Sequence, residues 1–333
     1  MKKNVLVTGA SGFIGSFIIE ESIKRNYQTF AGIRKGSSKK YLTHPEINFF
    51  ELDLSNDALL DASLQNFATQ YGTVDFVIHT AGVTKSINKA DFDAVNFEST
   101  KRLVNALKRN QLVPEKFVFV SSLASYGPGI DAYPITTANQ QQPLTAYGKS
   151  KLKAEDFFRD NKDFPSVTVN PTAVYGPRDK DFFVLLKSIS NHLEVYINND
   201  RQLLSFVHVH DLVAAIFIAM ESDAMHQNLL VSDLSNYTSR EFNNLVKKAL
   251  NVKTISIIVP AAVAGFFAVI SEIVGHLKGK TPLLNRERLK EFKAKNWSVA
   301  CNQIEQFGYT PKYKLEEGIQ HTINWYKKEG WIK

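Results

Sequence analysis

Cysteine is all but missing: Cys301 is the single thiol among 333 residues. This excludes an intramolecular disulfide framework and agrees with a reducing compartment, so a cytoplasmic location is expected. Blocks of like charge are missing too. The net charge of +7 comes from lysines and arginines scattered along the chain, apart from a short basic segment at 34–40. With no basic stripe and no recognition motif, a nucleic-acid partner is not expected. No secretion signal is expected, because the apolar run after Met1-Lys2-Lys3 stops at Val7, before Thr8-Gly9. No internal repeat or low-complexity linker occurs, which sets aside fibrous and disordered classes. Metal chemistry lacks a ligand set: His208 and His210 alternate along one short run, but no third ligand accompanies them. A structural role is expected for both, with Asp211 capping the helix that follows.

Long hydrophobic runs are also scarce, with one exception at 255–274. It is broken only by Ser256, Pro260, Gly265, Ser271 and Glu272, and it reaches the length of a spanning helix. Pro260, Gly265 and the alanines argue against a span. The expected form is a helix starting near Pro260 and lying over an apolar pocket, with peripheral membrane attachment as the second reading.

What is present is an ordinary globular balance, 44% hydrophobic and 22% charged. Runs at 4–8, 28–33, 47–52, 74–79, 116–121 and 166–170 read as strands, and 13–25, 58–71, 94–110 and 146–161 as helices. Strands separated by helices of this length give βαβ units and a parallel sheet: an α/β, doubly wound Rossmann fold. Beyond Pro171 the alternation loosens, although 229–231 reads as a strand able to return to the first sheet. The expected division is a Rossmann domain over 1–170, completed by parts of 205–232. A smaller, interleaved C-terminal lobe over 171–333 would hold most of the substrate site.

The sharpest local pattern is Thr8-Gly9-Ala10-Ser11-Gly12-Phe13-Ile14-Gly15, between the first strand and the first helix. A G-x-x-G-x-x-G turn there provides a tight bend, backbone access to a pyrophosphate and close helix–strand packing. The helix N-terminus adds free N–H groups and partial positive charge. After the second strand the acid that would hold a bare ribose is replaced by Arg34-Lys35. That pair suits a 2′-phosphate, so NADP is preferred over NAD. Asp53 is placed to accept from the adenine amino group, with Leu54 packing nearby.

Tyr147 and Lys151 stand at i and i+4 on one helix face. An ammonium beside a phenol favours the phenolate, which lets the tyrosine exchange a proton with a carbinol or carbonyl oxygen during hydride transfer. Together with the ordered motifs Gly9/Gly12/Gly15, Asp53-Leu54, His79-Thr80-Ala81-Gly82, Asn96, Ser121-Ser122 and 171–178, the chain resembles an extended short-chain dehydrogenase/reductase of the NAD-dependent epimerase/dehydratase superfamily. The resemblance implies catalysis by Ser122, Tyr147 and Lys151, with Ser121 the alternative serine. It implies cofactor contacts from Ser11, Gly12, Phe13, Ile14, Thr80, Ala81, Gly82, Asn96, Pro171, Thr172 and Val174 as well as Lys151. Substrate contacts are implied for Ser122, Tyr175 and Arg178, on a small molecule, and such proteins often form homodimers.

Three features bear on the reaction. The stretch Ser122-Leu123-Ala124-Ser125 lacks the acids that resemble those of sugar-nucleotide dehydratases. The 171–177 run resembles reductase and hydroxysteroid dehydrogenase branches more than epimerases, and Arg34 suits the NADPH of a net reductase. The expected activity is interconversion of a carbinol and a carbonyl, by a ketone or aldehyde reductase or a hydroxysteroid-dehydrogenase-like enzyme. A nucleotide-sugar epimerase holding NAD(P) tightly is the alternative, and a non-catalytic NADP-sensing protein comes third.

Overall fold

A computed structural model describes residues 2–278 and 285–332. Six strands of the first half, β1 (Asn4–Thr8), β2 (Gln28–Ile33), β3 (Asn48–Glu51), β4 (Phe76–His79), β5 (Lys116–Val120) and β6 (Ser166–Pro171), lie in one parallel sheet. A seventh strand, Asn228–Val231, pairs in parallel with β6 after the chain has left the sheet and returned. The order across the sheet is β3-β2-β1-β4-β5-β6 and then Asn228–Val231. The direction of winding reverses between β1 and β4, which opens a crevice at their carboxyl ends.

Side-chain alternation explains why these runs form buried strands. Along β5, Val118 and Val120 join the core under the helices Phe13–Lys24 and Val209–Glu221. Phe117 and Phe119 instead join the core under Asp57–Tyr71, Ser99–Arg109 and Ala146–Asp160. Both faces are thus apolar, as strands covered on two sides require. The expected single helix over 94–110 is interrupted. Residues Asp93–Glu98 form a π-helical turn that leads into Ser99–Arg109, and this bulge carries Asn96 inward.

The part of the chain after Pro171 also builds a separate core around Tyr175, Phe206, Phe242 and Ile319. Its small sheets pair Ala173–Tyr175 with Phe206–His208, Leu193–Ile197 with Ile255–Val259, and Leu203–Leu204 with both Tyr237–Thr238 and Asn296–Trp297. The helix expected near Pro260 spans Ala261–Lys278. Among the described residues no helix is long and apolar enough to cross a membrane.

Candidate active site

The crevice between β1 and β4 fits a dinucleotide. Gly9 sits at φ +69°, and a Cβ on Gly15 would lie 2.2 Å from the Gly9 carbonyl oxygen, so only glycine lets the helix approach the turn this closely. Gly12 N–H donates to the Gly9 oxygen at 2.9 Å, and Gly12, at the N-cap of Phe13–Lys24, makes no side-chain cap. With no acid in the first turn, the helix start is open to a diphosphate. Ser11, Phe13 and Ile14 are half-exposed beside it. Across the crevice, Thr80 Oγ1 donates to the Thr8 oxygen at 2.8 Å, which sets the Ala81-Gly82 turn against Gly9.

At the far end Arg34, Lys35 and Asp53 line one depression of about 530 Å³. Asp53 accepts from Ser55 N–H at 2.8 Å and from Ser55 Oγ at 2.6 Å. These bonds, aided by Arg34, hold its carboxyl below the usual range. Leu54 packs partly buried on the core. Asn96 is fully buried and bridges rather than lines: its Oδ1 accepts from Val83 N–H at 2.8 Å, and its Nδ2 donates to Ser150 Oγ at 3.0 Å. It shapes the turn after Gly82 and stands back from the crevice.

The structure brings Ser122, Tyr147 and Lys151 together. Thr145 caps Ala146–Asp160 by accepting Gly148 N–H at 3.1 Å. A Cβ on Gly148 would lie 2.3 Å from the Ala124 oxygen, so the helix is pressed against the loop bearing Ser122. Ser122 and Tyr147 both line the central cavity, close enough for Ser122 to act on the phenol. Ser121 faces the opposite way and donates to Glu155 Oε1, so Ser122 is the serine at the cavity.

Burial pushes the Tyr147 phenol up to about 12, an effect that neighbouring Ser122 partly offsets and Glu291 and Glu155 reinforce. Lys151 Nζ donates to the Val120 oxygen at 2.9 Å and is itself pushed down to about 8 by burial, with Glu155 opposing.

Pro171 and Thr172 line the cavity, and Val174 lies in the short strand beside it. Tyr175 and Arg178 are placed elsewhere, contrary to the substrate role expected for them. Tyr175 is fully buried under the helix Leu315–Lys328, where Gly318 leaves room for its hydroxyl. Arg178, at φ +74°, turns back onto the first helix. Its guanidinium lies 4.1 Å from the Phe17 ring centre and bonds Ser16 Oγ at 3.0 Å and Glu20 Oε1 at 2.6 Å. Asp211 does not cap a helix, since Val209–Glu221 begins after His208. Its carboxylate accepts Lys312 and Tyr313 N–H at 2.9 Å each and clamps the C-terminal tail. His208 joins His210, His321 and Tyr313 in an aromatic cluster, and burial lowers the histidine basicity. Among the described residues no His/Cys/Asp/Glu group is arranged to hold a metal ion.

Three carboxylates at the site escaped the sequence reading. Glu155, one turn beyond Lys151, accepts Asn170 Nδ2 at 2.7 Å, Gln141 Nε2 at 2.6 Å and Asn228 Nδ2 at 2.8 Å. The continuing i, i+4 spacing was a signal for it. Glu291 arrives from the helix Arg286–Lys293 and accepts from Thr145 Oγ1 at 3.4 Å, while Glu287 of the same helix accepts Ala146 N–H at 2.8 Å. Nothing in local spacing signals that contact. The helix Arg286–Lys293 thus anchors the start of the helix that carries Tyr147 and Lys151.

The cavity beyond Tyr147 measures about 910 Å³. Leu123, Ala173, Leu185, Val195, Phe206 and Phe292 supply much of its wall. A Rossmann sheet with an open glycine turn, and a half-buried tyrosine and serine beside a buried lysine at its mouth, defines a dinucleotide-dependent oxidoreductase.

The comparisons specify the class. The model of the NAD dependent epimerase/dehydratase family matches residues 5–231, and the chain belongs to that family. It is 24% identical to N-acetyl-alpha-D-glucosaminyl-diphospho-ditrans,octacis-undecaprenol 4-epimerase of Escherichia coli, over 98% of this chain and 96% of that one. It is 25% identical to the decarboxylating sterol-4-alpha-carboxylate 3-dehydrogenase of Dictyostelium discoideum, over 95% and 99%. With the ceramide reductase of Caulobacter vibrioides it shares 22% over 98% and 96%. The fold resembles that of UDP-glucose 4-epimerase from Thermotoga maritima, with a TM-score of 0.78, 19% identity and coverage of 98% and 99%. The protein is an NAD(P)-dependent enzyme of the extended short-chain dehydrogenase/reductase type.

Proposed function

We propose that this enzyme is an NADP-preferring reductase that interconverts a carbonyl and a carbinol on a weakly polar small molecule. The observation that carries this reading is the Ser122–Tyr147 pair facing a cavity whose exposed wall is mostly apolar surface, although Lys85, Lys89, Arg286 and Arg288 also line it. Bound NADPH would supply a hydride at its nicotinamide. The Tyr147 hydroxyl then delivers a proton to the carbonyl oxygen, and its high proton affinity keeps it loaded for that step. Ser122 Oγ, on the same cavity wall as the phenol, steadies the reacting oxygen. One Lys151 N–H is occupied by Val120, which leaves two for the hydroxyls of the nicotinamide ribose. Arg34 and Lys35, which line the same depression as Asp53, support the choice of NADP. The buried, solitary Cys301 is in keeping with a cytoplasmic enzyme. The sterol carboxylate and ceramide named for two relatives have large apolar portions, which the apolar surface of the cavity would suit.

The test is a cofactor-balance experiment. Purified protein is mixed with NADPH or NADH and with medium-chain ketones, aldehydes and UDP-sugars. Stoichiometric loss of reduced cofactor with a carbonyl compound, faster with NADPH, is expected. Inversion of a sugar centre with no net change in cofactor would replace this reading with epimerisation.

A further inference from the structure

The helix Ala261–Lys278 is inside out. Its buried positions are small, Ala264, Ala268 and Gly275, whereas Phe266, Phe267, Ile270 and Ile273 face outward. Phe266 is 65% exposed and Phe267 56%. A helix of a water-facing surface has the opposite arrangement, with large apolar residues turned to the core. The neighbouring strand Ile255–Val259 extends the face: Ile255 is 71% exposed and Ile258 55%, while Ser256 donates inward to the buried Glu194 at 3.0 Å. Scattered exposed apolar residues are normal, but a contiguous face of this kind marks an interaction surface.

We infer that this face docks on the surface of an anionic lipid bilayer, and that the cavity draws its substrate from that bilayer. Three observations select this partner. No described helix can span a membrane, so the arrangement fits a segment lying in the interface. Exposed lysines flank the apolar side chains in sequence: Lys187 follows Leu185, Lys253 precedes Ile255 and Lys293 follows Phe292. They complement anionic headgroups, whereas a second copy docked on the same face would set like charges against each other. The face is also continuous with the cavity, because Leu185, Val195 and Phe292 are exposed on the surface and also line the cavity that reaches Tyr147. The substrate is then an amphiphile whose carbonyl meets Tyr147 while its alkyl portion lies toward the apolar face. This last point rests on the reading of the cavity as the carbonyl site; the docking itself does not.

The experiment is co-sedimentation of the full chain with phosphatidylcholine vesicles, with and without phosphatidylglycerol, for the wild type and a Phe266→Gln, Phe267→Gln double variant. Neither phenylalanine lines the cavity, so NADPH binding and the melting temperature serve as controls for folding. Binding to anionic vesicles is expected to exceed binding to neutral ones, and the double variant is expected to lose it on the order of a hundredfold. The inference is overturned if the wild type stays in solution with both vesicles, or if the double variant binds equally well. It is also overturned if analytical ultracentrifugation shows a wild-type dimer that the double variant abolishes and vesicles leave intact. The vesicle readout needs no turnover, so its failure and that of the proposed reaction are distinguishable.

Discussion

Replacing Tyr147 by phenylalanine removes one oxygen and little else. The ring keeps its edge contact with buried Phe92, whose centre is 6.2 Å away. Ser122 Oγ accepts Ala124 N–H at 3.1 Å independently of the phenol, so the loop that carries it stays in place. The lost term is proton delivery, which contributes about 10²- to 10⁴-fold, or roughly 3–5 kcal/mol of barrier. The assay is single-turnover oxidation of bound NADPH by a ketone, followed by the nicotinamide absorbance, beside a fluorescence titration of NADPH binding. Turnover should fall by about three orders of magnitude with cofactor affinity within twofold. Retention of turnover within tenfold would refute the proton-transfer role. An equal loss of NADPH binding would refute the claim that the defect is chemical.

Three further outcomes follow from the geometry. Ser122→Ala should lower kcat at least tenfold with little change in melting temperature. Ser121→Ala should do the reverse, because that hydroxyl serves the buried Glu155; equal kinetic effects would undo the assignment. Lys151, pushed down to about 8, is cationic below that pH, so kcat/KM for reduction should decline as pH rises through 8. Unfolding does not explain the decline: the native state binds fewer protons than the unfolded chain between about 8 and 10.5, so this group raises stability with pH there. A profile flat to pH 10 would contradict it. Arg34→Ala should cut the preference for NADPH over NADH by about tenfold or more, the scale of one charge-assisted phosphate contact, as read from the two kcat/KM values.

The sheet was legible because parallel strands buried on two faces are apolar runs, and the runs at 74–78 and 116–120 have no other use. Tyr147, Lys151 and the glycines were legible because their spacing is itself the geometry. Ser121 and Ser122 could not be separated by sequence, since neighbours in extended backbone point to opposite sides and a slip of one exchanges them. Arg178 misled for a backbone reason: a left-handed residue after Pro177 reverses the direction of its side chain. Glu291 comes from a distant segment and left no local trace. For 255–274 the composition gave the apolar content of the helix but not which side would be covered.

The returning strand Asn228–Val231 bears on synthesis. When residue 171 has emerged from the ribosome, β6 has its partner β5 on one side and a bare row of backbone donors and acceptors on the other. Residues 172–227 must be made before the last strand arrives, about 3–10 s at ordinary elongation rates. During that interval the nascent chain offers an open edge to any other extended polypeptide. A fragment ending at residue 171 would keep that edge permanently, and expression of the N-terminal half alone should yield aggregate in place of a free-standing nucleotide-binding domain.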